Sequence, residues 1–269
     1  MSNTMKLGVN IDHIATLREA RAINDPNPLE AVFVAKNAGA DQITLHLRED
    51  RRHIHDDDVK LIVHTSPLPV NIESALDEQI VDYLCSLAPH RITLVPEKRE
   101  EVTTEGGLDI ESHYTTIREV IKTFESRGIA TSLFIDAKKE SVFLARELGT
   151  QAIELHTGHY ANLCLMRESN LPHTHHSIKT MELSRQELYE EMIYTLDEIA
   201  QCAKIATSSA DTRALECFAG HGLNYHNVAR ICAIPQISEL NIGQSIIARS
   251  VFVGLEKAIV QMREAMCQR

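Results

Sequence analysis

The most suggestive chemical side chains in the sequence follow a short apolar run within residues 40–59. Alternating character and β-branched residues predict a strand over residues 42–47. Side chains two apart share one face of a strand, so we expect one face to carry Thr44, His46 and Arg48. The other face then buries Ile43, Leu45 and Leu47. An imidazole that emerges beside a guanidinium suits proton transfer on an anionic substrate.

This stretch also has a simpler interpretation, in which its charges do no chemistry. A run such as residues 49–52 is typical of a solvated loop, and a lone His on a strand is more often a hydrogen-bonded core residue. The functional interpretation requires other strands to bring polar groups to the same place. It therefore depends on the rest of the chain.

Polar side chains do stand at the ends of other predicted strands. Unpaired His and Glu are costly to bury, so several of them at strand ends favour a shared site over isolated core positions. Such a set suits general acid–base work on an anionic substrate. The strand ends carry Asn10, Asp12 and His13, then Glu73, then Glu154 and His156, then His221, and last Asn241 and Gly243.

The elements that position these residues alternate between strand and helix along nearly the whole chain. The count reaches about eight of each, which predicts a (β/α)8 TIM barrel, an α/β fold, forming one domain over residues 1–269. An open dinucleotide-binding sheet is disfavoured because no Gly-x-Gly-x-x-Gly follows the first strand. In such barrels the active site lies at the carboxyl ends of the strands.

An irregular, polar insertion is predicted around residues 161–183, after the sixth strand. Its histidines, His173, His175 and His176, lack the spacing of a helical ligand pair and have no neighbouring Cys, so no metal site is predicted. A long helix should begin after it, because Ser184 and Glu187 have the spacing of a capping box.

Composition restricts the possible partners. The net charge of −11 over 269 residues argues against nucleic acid or an anionic membrane as the main partner. The six Cys form no Cys-x-x-Cys pair, which suits a reducing cytosol, so a cytoplasmic protein is expected. We expect no signal peptide and no membrane-spanning stretch.

Several long motifs resemble the family of pyridoxine 5′-phosphate synthases, and the resemblance runs nearly end to end. The motifs occupy residues 8–18, 46–53, 95–99, 101–107 and 219–223. The resemblance implies a barrel that condenses 1-deoxy-D-xylulose 5-phosphate with 3-amino-2-oxopropyl phosphate. The products are pyridoxine 5′-phosphate, inorganic phosphate and water. It also implies no metal or organic cofactor, phosphorylated small-molecule substrates, and a homo-oligomer, in that family an octamer.

The same resemblance implies roles for individual residues. His46 and Glu73 match the family's proton acceptors, His221 its proton donor, and Glu154 a residue that supports the transition state. Positions that hold the deoxyxylulose phosphate are matched by Asp12, His13, Arg48, His53 and Thr103. Positions that hold the amino-ketone phosphate are matched by Asn10, Arg21, Gly222, Gly243 and Gln244.

The chain departs from the family's pattern at two places. The stretch at residues 161–183 is longer than is usual in the family, and Gln244 stands where many members have His. Two other functions fit the residues alone. A metal-dependent barrel hydrolase would also place His and acids at strand ends, and a non-enzymatic barrel could bind a phosphometabolite. Only the first of these would require a metal for activity.

Overall fold

A computed structural model describes residues 5–96, 106–209 and 214–267. These residues form eight strands and eleven α-helices. The strands are β1 (Lys6–Asn10), β2 (Gln42–His46), β3 (Val70–Ser74), β4 (Arg91–Leu94), β5 (Ala130–Ile135), β6 (Ala152–His156), β7 (Glu216–Gly220) and β8 (Glu239–Ile242). The helices are α1 (Asp12–Glu19), α2 (Pro28–Asn37), α3 (Asp56–Thr65), α4 (Glu78–Leu87), α5 (Ile110–Ser126), α6 (Lys139–Leu148), α7 (Gly158–Glu168), α8 (Arg185–Thr207), α9 (Val228–Cys232), α10 (Gln244–Val253) and α11 (Leu255–Cys267).

The strands close into a barrel in chain order, β1 to β8, with β8 pairing back onto β1. All eight pairings are parallel. The predicted (β/α)8 barrel is therefore confirmed. Because every strand runs the same way, all carboxyl ends open at one rim, where the predicted site residues follow β1, β2, β3, β6, β7 and β8.

The two faces of each strand meet different surroundings. In β2, Ile43 and Leu45 belong to the apolar core between the sheet and the outer helices. Thr44 instead faces the barrel axis, where its hydroxyl donates to Asn241 Oδ1 at 3.1 Å. The alternation predicted for this strand is confirmed. Both faces are buried, because the outer helices cover one and the opposite strands cover the other.

The axis of the barrel is unusually polar at its amino-terminal end. Arg91 Nη1 lies 3.3 Å from Glu239 Oε1, and Gln42 donates to the same oxygen at 2.8 Å. The Arg91 guanidinium also lies 4.4 Å from the ring centroid of Phe218. Both charged side chains are almost completely buried, at 8% and 3% exposure. A buried charge needs a partner of opposite sign, and here Arg91 and Glu239 are that partner for each other.

Several helix boundaries follow from local signals in the sequence. Helix α2 begins at Pro28, and the Asn27 side chain accepts the Leu29 N–H as a cap. Helix α8 begins with the predicted capping box, in which Ser184 and Glu187 bond reciprocally. These boundaries depend on neighbouring residues only.

Other elements differ from the prediction. Helix α1 occupies a segment for which no helix was predicted. One helix is predicted after the eighth strand, over residues 245–266, but the structure divides it at Gly254 into α10 and α11. The irregular insertion was predicted from residue 161, but α7 continues to Glu168. The irregular part begins after Glu168 and contains two short 3₁₀ turns, Leu171–His173 and Lys179–Met181. Helix α7 was missed because its buried residues cover most of its circumference and leave no simple apolar stripe.

Candidate active site

His46 and Glu73 stand side by side at the carboxyl rim. They are register partners on adjacent strands β2 and β3, and His46 Nδ1 lies 4.0 Å from Glu73 Oε2. The His46 side chain is 11% exposed and that of Glu73 is 19% exposed, so both reach the opening without being fully solvated. The prediction that these strand ends converge is confirmed for this pair.

The end of β1 holds His46 in place from the other side. The His46 backbone N–H donates to Asp12 Oδ1 at 2.8 Å. Asp12 in turn accepts the Asn10 amide at 3.0 Å, and its own N–H donates to Asn10 Oδ1 at 2.9 Å. Gly243, at the start of α10, lies directly against Asn10. Asn10 and Asp12 therefore link the β1 end to both the β2 end and the β8 end.

The loop after β2 brings further basic side chains to this rim. His53 lies near His46, with ring centroids 6.4 Å apart. Burial lowers the pKa of His53; the carboxylate of Asp12 opposes this effect, and His46, Arg48 and His13 lower it further. These electrostatic influences place the five side chains in one neighbourhood.

Arg18 fixes that loop, although no role was predicted for it. Its guanidinium donates to both carboxylate oxygens of Asp58 at 2.7 and 2.8 Å. It also donates to the His53 carbonyl at 2.8 Å. A forked pair of this kind is among the stronger ion pairs in proteins. Helix α1 thus sets the position of His53 through a buried arginine.

Glu73 is poised to exchange a proton. Burial raises its pKa well above the ordinary value, the Asp12 and Glu154 carboxylates add to the rise, and the Asn10 amide opposes it. A carboxyl with a raised pKa can accept and return a proton near neutral pH. Glu73 thus places a carboxyl with a raised pKa at the rim, 4.0 Å from a His46 ring nitrogen.

Glu154 lies deeper, inside the barrel. Burial raises its pKa to about 7; the hydrogen bond from Asn241 opposes the rise, the charge of Glu239 adds to it, and Arg91 opposes it. Asn241 Nδ2 donates to Glu154 Oε2 at 2.7 Å. Glu154 is only 3% exposed, so its carboxyl is almost completely shielded from bulk water.

His221 occupies the rim beside a second histidine. It follows β7 with a φ of +77°, a strained conformation for a residue with a side chain. Its ring lies 4.9 Å from that of His156 and 6.3 Å from that of Phe134. His221 is exposed at the carboxyl rim, and the inner side of its ring faces His156 and Phe134. Burial of the ring, followed by the influence of His156, holds its pKa below the ordinary value.

His156 has a carboxylate partner of its own. Its Nδ1 lies 3.4 Å from Asp136 Oδ1, which also accepts the Gly107 N–H at 2.8 Å. The hydrogen bond to His156 holds the pKa of Asp136 well below its ordinary range. Within the described ranges, Nε2 of His156 is buried and has no hydrogen-bond partner.

Gly243 and Gln244 are placed as the sequence predicts for an anion site. Gly243 is the N-cap of α10 and Gln244 its first residue. Free N–H groups and the helix dipole at such a terminus attract phosphate. Gln244 is exposed, and Gly222 follows His221 in the loop after β7, the strand next to β8.

Arg21, a predicted substrate-binding residue, is exposed beyond α1, in the turn that leads to α2. Thr103, another predicted substrate-binding residue, lies outside the described residues. In the part of the chain that the structure describes, no group of three or more His, Cys, Asp or Glu residues could hold a metal ion. Over the same part, no helix has the length and apolar character needed to cross a membrane.

Comparison with known proteins decides the family. The model of the family described as "Pyridoxal phosphate biosynthesis protein PdxJ" matches residues 7–268. The chain belongs to the PdxJ family. A pyridoxine 5′-phosphate synthase of Helicobacter hepaticus is 73% identical over 266 residues, which is 99% of this chain and 100% of that protein. The enzyme of the same name from Wolinella succinogenes is 58% identical, over 97% of this chain and 98% of that protein.

Solved structures with little sequence similarity share the barrel of this PdxJ-family chain. A 3-hexulose-6-phosphate synthase has a TM-score of 0.57 at 12% identity, covering 97% of this chain and 99% of its own. A phosphoribosylanthranilate isomerase from Thermotoga maritima has a TM-score of 0.53 at 13% identity, covering 97% and 98%. At these identities the likeness shows the fold alone.

The structure adds two residues that the sequence did not mark as parts of the site, Asp136 and Arg91. Asp136 contacts His156, whose ring adjoins that of His221, and Arg91 lies below Glu154 on the axis. His156 and Asn241 were predicted at strand ends, and the structure gives them their partners, Asp136 and Glu154. Asp136 directly follows an apolar strand and Arg91 begins one, which was the only signal available. Such a signal cannot say which partner a side chain will meet across the barrel.

Proposed function

We propose that this chain is a pyridoxine 5′-phosphate synthase that condenses 1-deoxy-D-xylulose 5-phosphate with 3-amino-2-oxopropyl phosphate. One observation carries the proposal: a chain of the PdxJ family has His46, Glu73 and His221 at one barrel rim, with Glu154 inside the barrel below them. Amine addition to a ketone, loss of water, loss of phosphate and ring closure all require protons to be moved at defined places. Paired imidazoles and carboxyls can supply those transfers.

The proposed roles divide by position. His46 and Glu73, 4.0 Å apart, accept protons from the condensing substrates. Glu154 stabilises the charge that develops above it in the transition state. His221, which follows β7 on the opposite side of the rim, donates a proton to the oxygen of the leaving group. The separation of the two sides lets a base and an acid act on different ends of one substrate.

Two phosphate groups need two anion sites. The deoxyxylulose phosphate would be held by Asp12, His13, Arg48 and His53 on the β2 side of the rim, and also by Thr103, as the family resemblance implies. The amino-ketone phosphate would be held near the start of α10, by Asn10, Arg21, Gly222, Gly243 and Gln244. Arginine, histidine and a helix N-terminus all favour a phosphate dianion.

We infer that bound substrate prepares the site by promoting the protonation of His221. Its pKa is held below the ordinary value in the ligand-free protein, so the donor form is scarce near neutral pH. A phosphorylated substrate brings negative charge, which favours the protonated imidazole. Substrate binding would thus create the acid that the reaction needs.

The wider features of the proposal follow the family. The enzyme would work without a metal or organic cofactor, in the cytoplasm, as a homo-oligomer, with eight subunits as the family resemblance implies. Large apolar side chains on the surface support contact between subunits, since Phe252 is 83% exposed, Val251 69% and Tyr194 61%.

The test is direct. The purified protein is incubated with both phosphates, and the fluorescent pyridine product and released phosphate are followed, with and without EDTA. We expect product without added metal, and turnover down on the order of 100-fold or more in Glu73→Gln. Glu216→Gln is the matched control, because that side chain is 56% exposed at the opposite end of the barrel. Activity that disappears with EDTA and returns with zinc would instead favour the hydrolase.

A further inference from the structure

A hydrogen-bonded line of three side chains crosses the middle of the barrel. The Thr44 hydroxyl donates to Asn241 Oδ1 at 3.1 Å, and Asn241 Nδ2 donates to Glu154 Oε2 at 2.7 Å. The three residues are 0%, 6% and 3% exposed. They come from β2, β8 and β6, so no local sequence pattern joins them.

We propose that Asn241, oriented by Thr44, is a positioning residue that fixes the Glu154 carboxyl and keeps it available in its ionised form. An amide can present either its oxygen or its NH₂ group to a neighbour. Because Thr44 donates to the amide oxygen, the NH₂ group faces the carboxylate. The significance for turnover rests on the function proposed above, but the positioning itself does not.

The strands on either side leave space for this arrangement. A Cβ atom on Gly220 would come within 2.0 Å of Glu154 Oε1, and one on Gly8 would come within 2.1 Å of Asn241 Oδ1. Any side chain at either position would displace the carboxyl or the amide. The two glycines therefore let the line of side chains form at the axis of a closed barrel.

Glu154 has a strongly anionic environment. Glu239 lies below it on β8, Glu73 lies towards the rim on β3, and Arg91 on β4 is the cation that acts on it from below. Burial and the charge of Glu239 both favour the protonated carboxyl, whereas Arg91 and the Asn241 amide favour the ionised form. Arg91 is 3.3 Å from Glu239, so much of its charge is already offset. This leaves Asn241 as a short-range donor to the carboxylate itself.

The barrel contains a matched pair without the carboxylate. On β4 and β3, the Thr93 hydroxyl donates to Asn71 Oδ1 at 2.9 Å, just as Thr44 does to Asn241. Asn71 is 1% exposed, and its Nδ2 has no hydrogen-bond partner in the part of the chain that the structure describes. Asn71→Leu removes the same groups at the same depth, since Asn71 is the register partner of Thr44, and it removes no hydrogen bond to Glu154. It is therefore the control for Asn241→Leu.

The first measurement needs no turnover. Infrared difference spectra between pH values report the protonated carboxyl band, and the band lost in Glu154→Gln assigns the residue. We expect Asn241→Leu to raise the titration midpoint of Glu154 by about one to two pH units, the scale of a lost hydrogen bond to a charged group. Thr44→Val should raise it by a smaller amount, because the amide is then free to turn. Asn71→Leu should leave it unchanged.

The second measurement separates positioning from a general effect on structure. Asn241→Leu should lower turnover at neutral pH at least tenfold and move the pH profile in the same direction as the infrared midpoint. In a Glu154→Gln background the same substitution should cost less than about twofold, because coupled residues are not additive.

Each outcome bears on the proposal. An unchanged Glu154 midpoint in both Asn241→Leu and Thr44→Val, or an equal shift in Asn71→Leu, would overturn it. An undiminished loss of turnover in the Glu154→Gln background would do the same. If Asn241→Leu does not fold, Thr44→Val still decides, since it keeps the shape of the side chain. If the wild type makes no pyridine product, the infrared result alone tests the positioning, and only the function proposed above fails.

Discussion

The buried pair of Arg91 and Glu239 allows the sharpest stability prediction. Arg91→Met keeps most of the side-chain volume but removes the cation. At the observed 3.3 Å separation, an effective dielectric constant of about 20 gives an attraction of about 5 kcal/mol. Gln42 still donates to Glu239, so the loss is partly offset. We expect the free energy of unfolding to fall by about 3–5 kcal/mol near neutral pH, the usual cost of breaking a buried ion pair.

The sign of the pH dependence follows from Glu239. Burial raises its pKa, Arg91 and then Lys6 oppose the rise, and Glu216 adds to it. Removing Arg91 raises the pKa of Glu239 further. A carboxyl with a higher pKa in the folded state favours the fold below its unfolded pKa and loses that effect as pH rises through the folded pKa. The deficit of Arg91→Met should therefore shrink towards acid, by about 1.4 kcal/mol per pH unit where Glu239 titrates.

The assay is urea unfolding at several pH values and one fixed protein concentration, because association would shift apparent stability. Arg91→Met/Glu239→Gln should recover most of the loss. Arg52→Met is the surface control: its pair with Asp50 is just as close, at 2.7 Å, but the two side chains are 40% and 37% exposed. It should cost less than about 1 kcal/mol. The reasoning would be refuted if Arg91→Met lowered the free energy of unfolding by less than about 1 kcal/mol, the size expected for the surface pair. It would also be refuted if the loss did not change with pH.

Three further predictions concern the rim. Gln244→Ala should weaken the binding of the amino-ketone phosphate by no more than about fivefold, because backbone N–H groups at the start of α10 hold the anion. A roughly thousandfold loss of turnover in this variant would instead show that the side chain is catalytic. Replacing residues 170–182 with a short Gly/Ser linker should lower thermal melting only slightly and leave turnover nearly unchanged, since Leu171, Ile178 and Met181 are only partly buried against the core. Titration calorimetry of inorganic phosphate in two buffers near pH 6 should show that the wild type takes up more protons on binding than His221→Gln does, because the pKa of His221 is held down in the free protein. The ionisation of phosphate itself is common to both proteins, so an equal proton balance in the two would contradict this.

Helix α7 shows where sequence patterns stop being informative. A helix that buries only one stripe can be recognised from its period, whereas the buried residues of α7 include Tyr160, Ala161, Leu163, Cys164 and Met166 on several sides. The division of the last helix at Gly254 was missed for a related reason. Glycine within a helix is tolerated, so its presence alone does not predict a break.

The sequence by itself determined the alternation of strand and helix, the capped starts of α2 and α8, and the residues that stand at strand ends. These depend on period, caps and motifs, which are properties of neighbours along the chain. The distances between residues on different strands are decided only by barrel closure. Closure places Asn241 of β8 against Glu154 of β6 and Arg91 of β4 against Glu239 of β8. Those contacts set which buried carboxyls are paired and which are destabilised, and a pKa depends on that three-dimensional environment.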